Sequence, residues 1–191
     1  MTRLTIYGDF NCPYSALASV RVDVLLASGA TYEIEWKAVQ HDPEIPPGGE
    51  ELEGDSAADL ADEVATIAEL SDRDVRLHLV VPPVRPNTTA ACAVFAAAGS
   101  EADSLRRRLF AALWVEGRNL GDPAEVDRLG GVGRDHVTAA RWQDEFEALP
   151  QLVTPTLVLP DGQSSPGLDA LAILADYVAA APASSQTESG E

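Results

Sequence analysis

The stretch Asp9-Phe10-Asn11-Cys12-Pro13-Tyr14-Ser15 decides how this chain of 191 residues is organised. It follows the strand-like run Leu4–Tyr7 and precedes the apolar run Ala16–Leu26, which has the length of a helix. Pro13 suits the first helical position, because its missing N–H needs no partner there and its φ is already helical. The sequence therefore predicts a strand that turns into a helix, with Cys12 at the helix N-cap.

A cysteine at a helix N-cap is a candidate nucleophile. Free N–H groups and the positive end of the helix dipole stabilise a thiolate, so we expect the pKa of Cys12 to be lowered. The spacing is C-x-x-S, and Ser15 stands where a dithiol motif has its second cysteine. Cys12 can then attack a disulfide or another electrophile, but no neighbouring thiol resolves the product. The alternative is that Cys12 is a small buried hydrophobic residue, as most free cysteines are.

Composition limits the classes of function. The chain has 13 basic and 31 acidic residues and a formal charge of −18, which argues against binding to nucleic acid or to an anionic membrane. Its length and its 46% of hydrophobic residues suit one compact domain, which we place at 1–181. Cys12 and Cys92 form no disulfide framework, and neither a signal peptide nor a membrane-spanning run is visible. We therefore expect a cytoplasmic protein.

The residues after the first helix predict a parallel strand pair. The segment Tyr32–Ala38 alternates apolar and charged residues, which is typical of a strand. A strand, a helix of more than ten residues and a second strand form a βαβ unit, which implies a right-handed crossover. The Pro- and Gly-rich segment 40–54 is then a loop that leaves the sheet.

The region from about 56 to 150 is predicted to be a helical insertion. Helix starts are indicated by a capping-box pattern at Ser56, by Asn87, by Asp122 before a proline, and by Asp135. The apolar run Leu77–Val81 is too short for its periodicity to distinguish an extended segment from a buried helical turn.

The β pattern returns at Thr156–Leu159, and a Pro-Asp-Gly turn should fold it back onto Gln163–Ser165. A last helix is predicted over Asp169–Ala180. The segment Pro182–Glu191 is rich in small and polar residues with little to bury, so we expect a disordered tail.

Thr154-Pro155 opens the returning strand, where proline is tolerated at the first position. We expect this bond to be cis, although a trans proline that starts a strand is the commoner case. In a site of this architecture a cis-proline lies against the nucleophilic sulfur. It turns the backbone of Thr154 outward, where an extended peptide or a thiol substrate can pair with it.

The order β-α-β, helical insertion, then Thr-Pro, strand, turn, strand and helix resembles the thioredoxin-like fold of the DsbA family. Within that family it is similar to the FrnE-like oxidoreductases and to the group of 2-hydroxychromene-2-carboxylate isomerases and kappa-class glutathione transferases. The resemblance covers nearly the whole chain. The segments that carry it are Asp9–Ser15, Trp36–Glu44, Arg85–Thr88, Glu116–Pro123 and Thr154–Thr156.

The resemblance implies an α/β protein, a thioredoxin-like sheet with an all-helical insertion. It implies a thiol-disulfide oxidoreductase, here acting through Cys12 alone, because FrnE-like members usually carry a cysteine where Ser15 stands. The first alternative is a glutathione-dependent isomerase or transferase, although that group typically has a serine at the position of Cys12. The second is a non-catalytic module that binds a thiol or a peptide. The expected ligand is a small thiol or a disulfide-bearing substrate, with no covalently bound cofactor and with glutathione or another low-molecular-weight thiol as candidates. A homodimer is compatible with all three.

Two groups of candidate site residues follow from the motifs and the resemblance. The candidate catalytic residues are Cys12, Pro13, Tyr14 and Ser15. The candidate substrate-binding residues are Asn87, Thr154, Pro155, Gly167 and Asp169. Gly167 and Asp169 resemble the segment that holds the γ-glutamyl end of glutathione in the isomerase group, whereas an ordinary helix N-cap at Asp169 is the alternative.

The remaining cysteine and the three histidines are not predicted to take part in catalysis or metal binding. Cys92 lies in an Ala-rich helical run and is interpreted as a core residue. His41, His78 and His136 have no metal-like spacing with one another or with a cysteine, so no metal site is expected and all three are interpreted as ordinary polar residues.

Overall fold

The centre of the fold is strand β1 (Thr2–Gly8), which has a neighbour on each side in a four-stranded sheet ordered β2-β1-β5-β6. The structure is a computed structural model that describes residues 2–29, 32–71 and 74–181. The tail 182–191, which the sequence predicts to be disordered, lies outside these residues.

The βαβ unit predicted from the sequence is confirmed. Helix α1 (Pro13–Ala27) connects β1 to β2 (Tyr32–Ala38), and the two strands pair in parallel along their whole length. On the other side of β1, strand β5 (Thr156–Val158) pairs antiparallel with β1 and then with β6 (Ser164–Pro166). Helix α7 (Gly167–Ala180) packs against α1 and closes the domain.

The insertion between β2 and β5 is mainly helical, as predicted. Its elements are α2 (Gly54–Ser71), α3 (Thr89–Ala96), a single 3₁₀ turn (Gly99–Glu101), α4 (Ala102–Trp114), α5 (Pro123–Gly130) and α6 (His136–Glu147). The predicted N-caps Asp122 and Asp135 are confirmed, because their carboxylates accept hydrogen bonds of 2.9 Å from the backbone N–H groups of Ala124 and Thr138.

Four local predictions differ from the structure. The predicted N-cap Asn87 is wrong by one residue, because α3 begins at Thr89 with Thr88 as its N-cap. A two-stranded ladder forms between β3 (Glu50–Glu51), within the predicted loop, and β4 (Val84–Arg85). The capping box at Ser56 is wrong, because its hydroxyl lies inside the first turn of α2 and donates to the carbonyl of Glu53. Asp169 is not an N-cap, since α7 begins two residues earlier and places it in the first turn.

The insertion packs directly onto the loop that carries Cys12. The indole N–H of Trp114, at the end of α4, donates to the carbonyl of Phe10 at 2.8 Å. The ring of Phe10 is fully buried and contacts those of Phe95 and Phe110, with centroid distances of 5.7 and 5.0 Å. The insertion therefore fixes the backbone immediately before the candidate nucleophile. Within the described residues, no helix is both long enough and apolar enough to cross a membrane.

Candidate active site around Cys12

The site lies at the edge of the sheet where the parallel strands β1 and β2 both end. β1 continues into the loop Asp9–Cys12, which is closed by a 3.1 Å hydrogen bond from the Cys12 N–H to the Asp9 carbonyl. β2 continues towards His41, and the N–H of Val39 donates to the carbonyl of Gly8 at 3.1 Å. Because the carboxyl ends of parallel strands meet at one edge, the two loops lie side by side, as ligand sites in open α/β sheets do.

Cys12 is the N-cap of α1, as predicted. Its backbone is extended (φ −108°, ψ 119°) and Pro13 occupies the first turn of the helix. The sulfur stands where Ser, Thr or Asp would place a capping oxygen. Cys12 is 5% exposed, and its Sγ donates to the carbonyl of Thr154 at 3.3 Å. The resting group is thus a buried thiol with an internal acceptor.

The Thr154–Pro155 peptide bond is cis, as the sequence analysis expects. It lies in the segment that leads into β5 and brings the Thr154 carbonyl to the Cys12 sulfur. The N–H of Gly167 donates to the carbonyl of Pro155 at 2.7 Å, which ties this segment to the start of α7. The sequence analysis expects the backbone of Thr154 to pair with a substrate. In the resting protein its carbonyl instead accepts a hydrogen bond from the Cys12 thiol.

Several buried polar groups around the sulfur have no partner. The hydroxyls of Ser15 and Thr154 and the side-chain N–H₂ of Asn11 are buried and make no hydrogen bond to any described residue. The two hydroxyls and the backbone N–H of Ser15 lie close enough to Sγ to stabilise a thiolate. Buried donors without acceptors are rare in folded proteins, because each costs its desolvation energy.

Burial nevertheless raises the pKa of Cys12, and the charge of Asp9 adds to the increase. Three hydrogen-bond donors oppose it: the hydroxyl of Thr154, the hydroxyl of Ser15 and the N–H of Ser15. The expectation of a lowered pKa is therefore wrong for the resting protein. The N-cap rule neglects desolvation, which disfavours the anion when the sulfur is almost wholly removed from water.

The buried Asp9 and the half-buried His41 form a pair beside this loop. One carboxylate oxygen of Asp9 accepts from the Asn11 N–H at 2.9 Å and from the Thr88 hydroxyl at 2.8 Å. The other accepts from the His41 backbone N–H at 3.1 Å and contacts its ring Nδ1 at 2.8 Å. Burial alone would lower the pKa of His41, but the hydrogen bond and charge of Asp9 outweigh it and raise that pKa.

His41 is the residue that the sequence analysis missed. We interpreted it as an ordinary polar residue, whereas the structure places it beside Asp9 and in the wall of the same cavity as Cys12. A signal was present in the sequence. Asp9 and His41 both follow strands that are predicted to be parallel neighbours, and such residues meet at one sheet edge.

Cys12 opens onto a cavity of about 440 Å³. One wall is formed by α2 and the β3–β4 ladder, and other parts of the lining come from the Cys12 loop and from the segment before Pro155. The lining residues are Asn11, Cys12, Pro13, Tyr14, His41, Glu50, Leu52, Ser56, Asp59, Leu60, Glu63, Arg85, Leu152, Val153 and Thr154. This volume is typical of small-molecule sites.

The predicted site residues divide into two sets. Cys12, Pro13, Tyr14 and Thr154 line the cavity. Ser15 and Pro155 do not line it, but Ser15 lies beside the Cys12 sulfur and Pro155 directly follows Thr154. Asn87, Gly167 and Asp169 do not line it.

Asn87 is engaged within the protein. Its amide N–H₂ donates to the Ile45 carbonyl at 2.6 Å, and its oxygen accepts from the Thr89 N–H at 3.0 Å. Asp169 is an exposed residue of α7. Cys92 is buried within α3, where burial strongly raises its pKa, and it belongs to the hydrophobic core as predicted.

Comparison with known families identifies the fold. The sequence model described as "DSBA-like thioredoxin domain" matches residues 3–146. The chain belongs to this family. No curated protein matches the sequence.

Solved structures show the same architecture at low sequence identity. A probable DsbA oxidoreductase from Streptomyces coelicolor superposes with a TM-score of 0.73 and 13% identity, covering 95% of this chain and 90% of that one. A 2-hydroxychromene-2-carboxylate isomerase gives 0.63 and 21%, with coverages of 93% and 95%. The cytosolic disulfide reductase DsbM from Pseudomonas aeruginosa, in a structure with GSH, gives 0.59 and 18%, with coverages of 93% and 96%. At these identities the likeness extends to the fold.

Proposed function

We propose that this DsbA-like protein carries out thiol-disulfide exchange through Cys12 alone. The observation that supports the proposal best is the set of donors around the sulfur. The hydroxyls of Ser15 and Thr154 are buried without partners next to a thiol, and a thiolate at the same place would satisfy both. The resting site therefore already contains the donors that would stabilise the thiolate required for exchange. The thiol proton of Cys12 is meanwhile donated to the Thr154 carbonyl.

The exchange proceeds in two balanced steps. The Cys12 thiol loses its proton, and the thiolate attacks one sulfur of a substrate disulfide. A bond forms between Sγ and that sulfur, the substrate S–S bond breaks, and the second sulfur leaves as a thiolate that takes up a proton from water. The Ser15 hydroxyl is not a thiol and cannot displace the product, so a second, external thiol must lose its proton and attack the substrate-derived sulfur of the mixed disulfide. A new disulfide forms between these two sulfurs, the bond to Sγ breaks, and Cys12 leaves as a thiolate that is protonated again.

The external thiol is a low-molecular-weight thiol, and glutathione is the first candidate because of the family resemblance. Both cysteines are free. A reducing compartment such as the cytoplasm would supply the second step, and it is the location we propose. The glutathione-dependent isomerase alternative has less support, because Gly167 and Asp169, which that reading assigns to glutathione, are not among the residues that line the cavity.

The proposal is tested with one thiol at a time. In Cys92→Ala the remaining thiol is Cys12, and incubation with bis(2-hydroxyethyl) disulfide should give one covalent adduct by intact-protein mass spectrometry. Addition of reduced glutathione should then release it. The matched control is Cys12→Ser, which keeps the buried Cys92 and should form no adduct on the same time scale. If Cys12 stays unmodified while a short cysteine peptide reacts, the exchange reaction is wrong and a non-catalytic binding module becomes the better interpretation.

A further inference from the structure

The α2 wall of the cavity carries two carboxylates that form no ion pair with any described residue. Asp59 and Glu63 are exposed, lie one helical turn apart and both line the cavity. Neither forms a salt bridge or hydrogen bond with any described residue. Like charges four residues apart oppose helix formation, so this arrangement gives α2 no stability. Burial raises the pKa of Tyr14 and the charge of Glu63 raises it further, which places this carboxylate near the Cys12 loop.

The positive groups of the cavity are already compensated. Arg85 is paired with Asp42 at 3.1 Å, and the ring of His41 contacts Asp9 at 2.8 Å. Glu50 adds a further carboxylate to the lining, opposite Arg85 in the β3–β4 ladder. The side chains that line the cavity therefore have a net negative charge, which acts on any ligand bound there.

The cavity also contains buried polar groups that lack partners. Asn11 and Thr154 are each 5% exposed and line the cavity beside Cys12, and the Asn11 amide nitrogen and the Thr154 hydroxyl make no hydrogen bond. The Thr154 hydroxyl can donate to the Cys12 thiolate and at the same time accept from an ammonium group, and the Asn11 N–H₂ can donate to a sulfur of a bound disulfide.

We propose that the cavity selects low-molecular-weight disulfides that carry a positive charge, such as an ammonium group, close to their sulfur atoms. This inference rests on the proposed exchange reaction of Cys12 and names its substrate class. A disulfide held for attack by Cys12 would place a group two or three bonds from its sulfur towards the α2 wall. There an ammonium group meets Asp59 and Glu63, whereas a carboxylate at the same distance from sulfur, as in 3,3′-dithiodipropionate, meets like charge.

The expected effect is on the rate of exchange. A charged cleft raises the local concentration of oppositely charged ligands and lowers that of like-charged ones, by tenfold or more at low ionic strength, and added salt screens the effect. We therefore expect cystamine, which carries two ammonium groups, to modify Cys12 about tenfold faster than 3,3′-dithiodipropionate, which carries two carboxylates. The neutral bis(2-hydroxyethyl) disulfide should lie between them.

The experiment measures the three rates on full-length Cys92→Ala protein by mass spectrometry. Each rate is divided by that of a short uncharged cysteine peptide, because leaving-group pKa also affects exchange. The test variant adds Asp59→Asn and Glu63→Gln. The matched control adds Asp62→Asn and Glu69→Gln, which remove the same charge from exposed positions of α2 that do not line the cavity.

The outcomes separate the two proposals. A preference for cystamine that weakens severalfold in the test variant and in high salt, but persists in the control variant, supports the inference. An equal preference in all three proteins assigns the effect to the overall charge of −18 and overturns it. Reaction of all three disulfides at equal normalised rates overturns it too, while leaving the exchange function intact. Failure of every disulfide to react with Cys12 overturns the exchange function and this inference together.

Discussion

The Cys12 thiol donates its hydrogen bond to the Thr154 carbonyl, with Sγ and O 3.3 Å apart. This bond joins the helix that carries the nucleophile to the segment that enters β5 on the other side of β1. Because the Thr154 carbonyl is an acceptor, this bond favours the protonated form of Cys12. The hydroxyls of Ser15 and Thr154, which would favour the thiolate, have no partner among the described residues. The site thus holds its nucleophile in the neutral state until the proton is removed.

The first prediction concerns the pH dependence of Cys12 alkylation. Because burial raises the pKa of Cys12, its rate with iodoacetamide in Cys92→Ala should reach half of its maximum at a pH above ~8.5, the ordinary pKa of a free thiol. The same variant unfolded in urea provides the reference and should reach half of its maximum near that value. A native midpoint below the unfolded one would contradict the structure and restore the sequence-based expectation.

The relative reactivity of the two cysteines is part of the same measurement. Cys92 does not line the cavity, and burial and the charge of Asp9 raise its pKa strongly. Cys12→Ser should therefore be alkylated more slowly than Cys92→Ala at every pH at which the protein is folded.

The second prediction separates reactivity from stability. Thr154→Val and Ser15→Ala each remove a hydroxyl that lowers the Cys12 pKa, so the alkylation rate at pH 8 should fall about fivefold, the equivalent of one hydrogen bond. Neither hydroxyl makes a hydrogen bond to another described residue that would be lost with it, so the free energy of unfolding should not decrease. Denaturant titration measures this second effect.

Thr66→Val is the matched control for the hydroxyl variants. Its hydroxyl donates to the Asp62 carbonyl on the exposed face of α2, away from the sulfur. The alkylation rate should be unchanged in this variant. A loss of stability in Thr154→Val or Ser15→Ala without a change in rate would show that these hydroxyls serve the fold.

The local sequence was sufficient for the elements that position the sulfur. The alternation of Tyr32–Ala38 and the proline after Cys12 predicted the strand β2 and the N-cap, because both depend on neighbours in the chain. The Asp122 and Asp135 caps followed from the same kind of signal. Such features are encoded within a few residues.

The properties that decide the chemistry depend on distant contacts. The burial of Cys12 results from packing of the insertion on its loop, as in the bond from Trp114 to Phe10 across 104 positions. The Asp9–His41 pair joins residues 32 apart, and the two-residue strands β3 and β4 are too short to have a periodicity of their own. For the same reason the direction predicted for the shift of the Cys12 pKa is wrong.

The third prediction concerns the Asp9–His41 pair. The folded-state pKa of His41 is raised, so its contribution to stability is complete below the unfolded value of ~6.5 and is lost as pH rises through the folded value. His41→Asn should therefore lower the free energy of unfolding by about 1–2 kcal/mol at pH 5.5 and by less at pH 9. The test is denaturant unfolding of both proteins at the two pH values.

His136→Asn is the matched control for this measurement. His136 is the first residue of α6 and is not among the residues that line the cavity. It should show no comparable difference between pH 5.5 and pH 9. A loss for His41→Asn that is equal at the two pH values would mean that its charge adds nothing and that the neutral ring suffices.

The last prediction concerns a variant with a second cysteine at position 15, where a dithiol motif would have one. Ser15 is fully buried in the first turn of α1, and its hydroxyl lies close to the Cys12 sulfur. In Ser15→Cys the new thiol can attack a mixed disulfide on Cys12, form an internal disulfide and release the reduced substrate. With dithiothreitol as the source of electrons, this variant should accelerate insulin reduction, measured as turbidity, well above the wild type. The control Cys12→Ser/Ser15→Cys has a thiol at position 15 but none at position 12, and its rate of insulin reduction should equal that of the wild type. If Ser15→Cys reacts with disulfides at Cys12 but gives no acceleration, the side chain at 15 does not reach the sulfur, and the stabilising role assigned to the Ser15 hydroxyl is wrong as well.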